Sequence, residues 1–489
     1  MGLNFFMLRE GPILRCARAF LGAAFLIAWM PGALAQFAVQ TGSGSIIGPG
    51  LAPPDVTLTR LPARDPNAIT VDGWSLYPTM RLYSQYYDNF FQTPTDPLSV
   101  GGVGVTPSLA AVWSNGIHTT TLYGSLDRQD YPTDNGINIL DGRAGFTQRY
   151  EAMRDLIFTF NGNYAHQTLS TGLQNSIQSP IAAPVTTVLA NGNTLLPNGT
   201  IISPSGQTVG QATTASGSTV PLEINPSNQF TGTFTIDKIF NRAALSLSGS
   251  LNRTDFENPS TTTPSFSSRT LAENASVWLG PLIYAYSTGT VTTTVDDAVA
   301  GQGGLLPSTS ITSYRVVGGL GTRLRELFVG TAYFGHQGSD GDGSSAQGDV
   351  YGGSLSYFPT PALTLTGTFD RTINIVSQPF TTNLALTLPG TAAVQIPLGE
   401  STITTSLGGR VGYSFTPQWF INSQIGYSHF EYPGTSRLDN SWVFDTTLRY
   451  DIWRNMSILW EYRYTTLMSN VPLQSFTSNY GVVGATYRF

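Results

Sequence analysis

The segment Gly481-Val482-Val483-Gly484-Ala485-Thr486-Tyr487-Arg488-Phe489 alternates without a break. Val483, Ala485, Tyr487 and Phe489 share one face of an extended strand, while Gly484, Thr486 and Arg488 share the other. The apolar face finishes on aromatic rings. A transmembrane barrel strand has this character, with an apolar side toward lipid, a polar side toward a lumen, and aromatics at the interface. An amphipathic edge strand of a soluble sandwich reads the same way over so short a stretch. The rest of the chain must separate the two.

The opposite end favours the membrane. Arg9, Arg15 and Arg18 precede an apolar run of twelve residues, Ala19 to Met30, broken by Pro31-Gly32 and followed by Ala33-Leu34-Ala35. A basic region, a short apolar core and a small-x-small site make residues 1–35 a secretory signal peptide. The run is too short to cross a bilayer as a helix. The sole cysteine, Cys16, lies before the apolar core, away from the cleavage site. The exported chain therefore carries no disulfide framework and no Cys-based metal or nucleophile site.

Removing residues 1–35 takes three arginines and one glutamate from totals of 24 and 30, leaving 21 basic and 29 acidic residues, a net charge of −8. No basic patch is evident, which argues against nucleic acid as a partner. Charged residues are 11% of the chain, well under the usual quarter. Yet mean hydropathy sits near zero, and no stretch after the signal is long and apolar enough for a spanning helix. Low charge, abundant Gly, Ser, Thr and Tyr, and no helical span fit a lipid-facing barrel better than a soluble enzyme.

Residues 36–73 hold Gly, Pro and Ala without a sustained period and read as an extended periplasmic leader. From Trp74 the chain becomes a series of strand-length segments. Leu76, Met80 and Leu82 alternate with Arg81, Tyr83 and Gln85; Leu156, Phe158 and Phe160 alternate with Thr159 and Asn161. Asn115-Gly116 predicts a tight type I′ hairpin. Asp237 to Arg242, Gly280-Pro281, Arg323 to Arg325, Pro359 to Pro361, Thr416-Pro417 and Asp451 to Arg454 predict further short turns. Longer loops fall between them, near 255–268, 297–309, 338–347, 378–400 and 431–438. Short turns alternating with long loops predict one closed antiparallel barrel over residues 74–489, of eighteen strands, with sixteen or twenty as neighbouring even counts. The segments giving strands eight, nine and eleven show no clearly polar face.

The longest interruption is 169–226. No Asp, Glu, Lys or Arg occurs from Leu156 through Leu222. Asn198-Gly199 predicts a small hairpin within it. Its apolar residues, Ile181, Val185, Val188, Leu189, Leu195, Leu196, Ile201 and Ile202 among them, suit packing over or into the external mouth; a flexible surface cover is the alternative. Aromatics beside the short turns, Trp113, Tyr150, Phe358, Phe415, Trp419, Trp453 and Phe489, predict a periplasmic girdle.

Two stretches carry a family resemblance. Tyr77-Pro78 with Tyr86-Tyr87-Asp88-Asn89-Phe90-Phe91, and Thr106-Pro107-Ser108-Leu109 with Trp113, resemble the opening strands of the putative beta-barrel porin 2 family. The resemblance is clearest over residues 74–168 and at the last strand. It implies an outer-membrane barrel of porin type in a Gram-negative bacterium, from a family often associated with envelope or exopolysaccharide systems. The closing segment, with Tyr487 and Phe489, also resembles the C-terminal signature recognised for barrel insertion. That implies outer-membrane lipid and the barrel-assembly machinery as partners.

The residues offer little for catalysis. His118, His166, His336 and His429 stand in no zinc spacing, and there is no Gly-x-Ser-x-Gly elbow. Ser428 and His429 are adjacent, so a strand points them to opposite faces. His166, His336 and His429 fall near expected external strand ends; a composite hydrolase site there and solvated rim residues are the two readings. No phosphate loop, dinucleotide fingerprint or calcium loop occurs, and no cofactor is expected. The inward set predicted from strand parity is Arg81, Asp141, Arg143, Arg315, Asp370, Arg410, Asp445, Arg449, Glu461, Arg463 and Arg488. Lysine occurs once, at Lys238, so the cationic charge is nearly all guanidinium, suited to carboxylates and anionic or sugar solutes. The expected function is a porin-like passive channel for small hydrophilic solutes. The alternatives are a non-conducting envelope barrel assisting surface-polysaccharide export, and an outer-membrane hydrolase.

Overall fold

A computed structural model describes residues 69–132, 138–171, 187–188, 194–195, 200–202, 208–211, 222–259, 265–301, 304–306, 308–324, 327–341, 346–360, 362–375, 401–433, 436–453, 455–471 and 474–489. Among them the alternating segments form long strands and no helix. In chain order these are β1 (Trp74–Tyr87), β2 (Val100–Ser114), β3 (His118–Asp130), β4 (Asn138–Met153), β5 (Leu156–Thr171) and β6 (Leu222–Ile239). Then come β7 (Ala243–Phe256), β8 (Phe266–Trp278), β9 (Ile283–Asp296), β10 (Thr309–Leu324), β11 (Phe328–Gly341) and β12 (Ala346–Thr360). The last six are β13 (Leu363–Ile375), β14 (Ser401–Ser414), β15 (Trp419–Glu431), β16 (Leu438–Trp453), β17 (Met456–Ser469) and β18 (Phe476–Arg488). Each pairs antiparallel with the next, and β1 also pairs with β18, from Thr79↔Arg488 to Tyr87↔Tyr480. The sheet is a closed barrel of eighteen strands with no free edge, the count that the alternation predicts.

On one rim the eight connections have two to four residues; on the other, nine connections run from four to fifty. Trp74 and Arg488 lie at the short-turn rim. Several local expectations are corrected. The Asn115-Gly116 turn is centred one residue later: Asn115 pairs with His118, and only Gly116 has a positive φ, +88°. That is the pattern of a II′ turn with Gly first, not of I′. The Asn115 side chain takes up the slack, its Oδ1 accepting the amides of Ile117 and His118 at 3.1 and 2.7 Å. The leader closes in a hairpin of its own, Ile69–Val71 against Trp74 to Leu76, turning on Asp72-Gly73 with both φ values positive. That is the two-positive-φ turn the Asp-Gly pair favours. Asp237 and Lys238 belong to β6 rather than to a turn, which spans only 240–242.

The strands flanking the long loop reach further than expected, with Leu222 paired to Thr171. Within the loop, Thr194 and Leu195 pair with Ile202 and Ile201, the hairpin predicted around Asn198-Gly199. The expected signal peptide, most of the expected leader and most of 172–221, with the expected docking at the mouth, lie outside the described residues.

Candidate functional site on the inner wall

Strand parity gives the barrel two chemically distinct faces, and the pairing keeps them in phase through all eighteen strands. One face carries exposed apolar side chains: Leu82, Leu126, Leu140, Phe230, Leu271, Leu320, Phe334, Leu407 and Val483. A lipid-facing surface requires this composition. Trp113, Tyr150, Phe415, Trp419, Trp453 and Phe489 of the expected girdle also face outward near the short-turn rim, several in stacks: Trp419 on Tyr450 at 4.3 Å, Tyr150 on His118 at 4.6 Å. Phe358 does not join them in register, because β12 bulges between Tyr357 and Thr360; there Tyr357 stacks on Phe328 at 4.6 Å instead.

The other face is polar and bonded to itself. All eleven residues predicted to point inward lie on it, in three groups. The largest spans β14 to β1. A single pairing row runs Arg410–Gln424–Asp445–Arg463–Tyr480–Tyr87 across six strands. Arg463 Nε donates to Asp445 at 2.8 Å and its Nη2 to Glu461 at 3.3 Å. Arg410 Nε donates to Asn422 at 2.8 Å, and Arg449 pairs with Asp451 at 3.2 Å. The Arg81 guanidinium lies over the Tyr83 ring at 4.8 Å. Arg488, 4% exposed, closes this arc at the short-turn rim. The second group is on β4, where Arg143 donates to Ser125 at 2.9 Å and Asp141 accepts the Thr168 amide at 2.7 Å. The third lies across the barrel: Arg315 over the Tyr333 ring at 5.2 Å, with Asp370 two strands further along. An aromatic and apolar cluster, Tyr284, Tyr286, Val317, Tyr333, Val350 and Ile373, surrounds it. The three groups are not brought into one site.

Sequence reading missed the hub of the first strands. Asp127 accepts three donors, Tyr83 Oη at 2.8 Å, Thr106 Oγ1 at 2.7 Å and Gln129 Nε2 at 2.7 Å. Leu122, Gly124 and Leu126 alternate just before it, so its inward parity was available. Tyr83 reaches Asp127 across β2 by lying flat over Gly104, where any Cβ would fall inside the ring. Asp237, 2% exposed, was hidden by its assignment to a turn.

The family-like Asp88-Asn89-Phe90 stretch has a defined job at the long-loop rim. It begins a loop, 88–99, tied to the last strand. Asp88 accepts the Asn479 amide at 2.6 Å and Asn479 Nδ2 at 2.5 Å; Asn89 Nδ2 donates to the Thr477 carbonyl at 3.0 Å. Phe90 is buried against Val100, Tyr131 and Ile139, edge-on to Tyr131 at 5.3 Å. Burial pushes the Tyr131 phenol up, so it stays neutral and donates to Gln129 at 2.8 Å. At the opposite rim the Lys238 ammonium bonds Asp155 and holds its carboxyl below the usual range.

The histidines sit on separate hairpins of the outer face. His166 meets Asn228 at 3.0 Å, His336 meets Asp349 at 3.2 Å and His429 meets Asn440 at 2.8 Å, each on the adjacent strand. Ser428 points inward to Ser406, away from His429. The composite hydrolase site is not assembled.

Comparison with known families places these faces in context: the family model described as putative beta-barrel porin 2 matches residues 205–489. The chain belongs to that family. The match includes the closing strand but not 74–168, where the resemblance read from the residues is clearest. Several solved barrels are similar to this porin-family chain. OpdQ of Pseudomonas aeruginosa is 11% identical, with 85% of this chain and 98% of that one covered and a TM-score of 0.44. OpdL of the same organism is 12% identical over 86% and 100%, with a TM-score of 0.42. A mutant ferric enterobactin receptor of Pseudomonas aeruginosa is 8% identical over 87% and 81%, with a TM-score of 0.45. Comparison with curated proteins gave no match.

Proposed function

We propose that this barrel is a passive channel for small hydrophilic solutes in the outer membrane of a Gram-negative bacterium. The inner wall carries the proposal. On the arc from β14 to β1, Arg410 bonds Asn422, and Arg463 bonds Asp445 and Glu461, along the wall. Charged and amide groups of this number favour a wetted surface over a packed apolar interior. A barrel of this strand number leaves an aqueous lumen. The residues proposed to line it are Arg81, Asp141, Arg143, Arg315, Asp370, Arg410, Asp445, Arg449, Glu461 and Arg463. Selectivity then comes from charge and hydrogen-bonding groups at the wall rather than from a catalytic centre.

The exported chain reaches the membrane by its signal peptide and enters it through the barrel-assembly machinery, with Tyr487 and Phe489 as the recognised end of β18. No chemical step is assigned to the wall. The test is planar-bilayer conductance of the purified, folded protein. Stepwise ohmic currents are expected. A folded barrel that inserts and passes no current overturns the channel.

A further inference from the structure

The outer face of β8 carries a carboxylate where lipid should meet only apolar groups. Arg269, Leu271, Glu273 and Ala275 share that face with Leu247 and Leu251 of β7 and with Ser287, Gly289 and Val291 of β9. The depth of Glu273 follows from the pairing. One row runs Phe158–Ile236–Leu247–Glu273–Gly289–Val316–His336. Phe158 lies beside a short turn, and His336 lies at the external end among polar residues. Barrel strands tilt by about 40° and stand about 4.8 Å apart, so each step along a row climbs roughly 3 Å. Glu273 stands three steps from each end, midway through the apolar band. Among the described residues it is the one carboxylate on the outer face away from the strand ends. Among the described residues, none gives it a hydrogen bond or ion pair.

An acidic group at this depth needs a partner, because neither acyl chains nor water will serve it there. The surroundings are small: Ala275, Ala285, Ser287, Gly289 and, on β10, Gly318 allow another wall to come close. Immediately toward the outside, Gly249, Leu251, Leu271 and Val291 line a shallow groove with Arg269 at its rim.

We propose that this face is the contact between two copies of the chain, related by a twofold axis along the membrane normal, with Glu273 of each bonded to Ser287 of the other. Both copies insert in the same direction, so the axis must run along the normal and depth is preserved across it. Gly289, paired with Glu273, lies about 3 Å higher on β9; stepping two residues back along a tilted strand descends about 5 Å. That places Ser287 within about 2 Å of the depth of Glu273, on the neighbouring strand. A twofold contact uses one patch twice, and Glu273 against Ser287 is reciprocal by symmetry. The Ser287 hydroxyl donates to the Glu273 carboxyl oxygen in both directions. An acyl chain in the groove would leave Glu273 unpaired, so the observations favour protein over lipid. The inference is independent of conductance.

The experiment uses the full barrel in a Cys16→Ser background. Ala285→Cys, beside Ser287 on the same face, treated with a short bismaleimide in native membranes should give a covalent dimer and nothing larger. Val483→Cys, on the outer face of β18 across the barrel, should give none. Native mass spectrometry of the unmodified protein should show dimers. Loss of two hydrogen bonds in the membrane should weaken the dimer about tenfold in Glu273→Leu and in Ser287→Ala. Glu273→Leu removes a charge from lipid, so its barrel should still show the gel shift of a folded form. A monomeric wild-type protein, a trimer ladder, equal cross-linking at both cysteines, or a Glu273→Leu dimer of unchanged affinity would each overturn the proposal. Co-purified lipid in place of a second copy would do the same.

Discussion

The loop after β1 should carry measurable stability for the whole barrel, because it bridges the seam between the first and last strands. The perturbation is Asp88→Ala. Its carboxylate accepts two hydrogen bonds from Asn479, at 2.6 and 2.5 Å, while the Asp88 amide donates to the Asn479 carbonyl at 3.1 Å. A hydrogen bond to a charged group contributes about 1.5–3 kcal/mol when well shielded, and less where solvent reaches it. Asp88 is half-buried at the rim, so the pair together should contribute about 2 kcal/mol. The loss falls where closure depends on pairing strands nearly four hundred residues apart, from Tyr87↔Tyr480 downward. Urea titration in lipid or detergent, followed by tryptophan fluorescence, should show stability reduced by about 2 kcal/mol with an unchanged slope. Thr95→Ala, at an exposed position of the same loop, is the control and should stay within about 0.5 kcal/mol of wild type. Equal effects of the two substitutions would refute the reasoning.

Gly104→Ala places a methyl group inside the Tyr83 ring and should cost about 1–3 kcal/mol by the same titration, whereas Gly101→Ala, with open space around it, should cost much less. Asp445→Ala removes one negative charge beside Arg463, so the reversal potential in a salt gradient should shift toward anions; no shift would place Asp445 off the conduction path. The Asp155 carboxyl is held below its usual range by Lys238, so its contribution is present at neutral pH and is lost as pH falls through the lowered value. The urea midpoint of the wild type should therefore fall in acid more steeply than that of Lys238→Ala, and parallel curves would rule the ion pair out.

The residues along the chain determined the class of fold, the strand count and the two faces. A period of two is a local property, and a closed membrane barrel repeats it with little tertiary override, since each strand meets lipid on one side and the lumen on the other. Arg81, Arg410, Asp445 and Arg463 could be oriented by parity from their apolar neighbours alone. Turn detail was less legible. Asp72-Gly73 and Gly116 obey φ preferences, but which residue occupies the centre of a turn depends on the register of the flanking strands. Asp237 looked like a turn residue because a charge beside Lys238 resembles one; only its pairing with Ser246 places it in β6 and its side chain inward.

What the tertiary structure alone decided is adjacency around the barrel. Closure makes β1 and β18 neighbours, so Asp88 reaches Asn479, and Tyr83 crosses β2 to Asp127. The same closure separates Arg315 from Arg463 and spreads the histidines over unconnected hairpins. The weak alternation of β8 has its reason there too. Glu273 breaks the apolar face in sequence, and only the tilt of the paired strands shows that it stands at mid-membrane depth. Alternation along a strand is written in consecutive residues, whereas depth and neighbourhood are set by hydrogen-bond register between strands far apart in the chain.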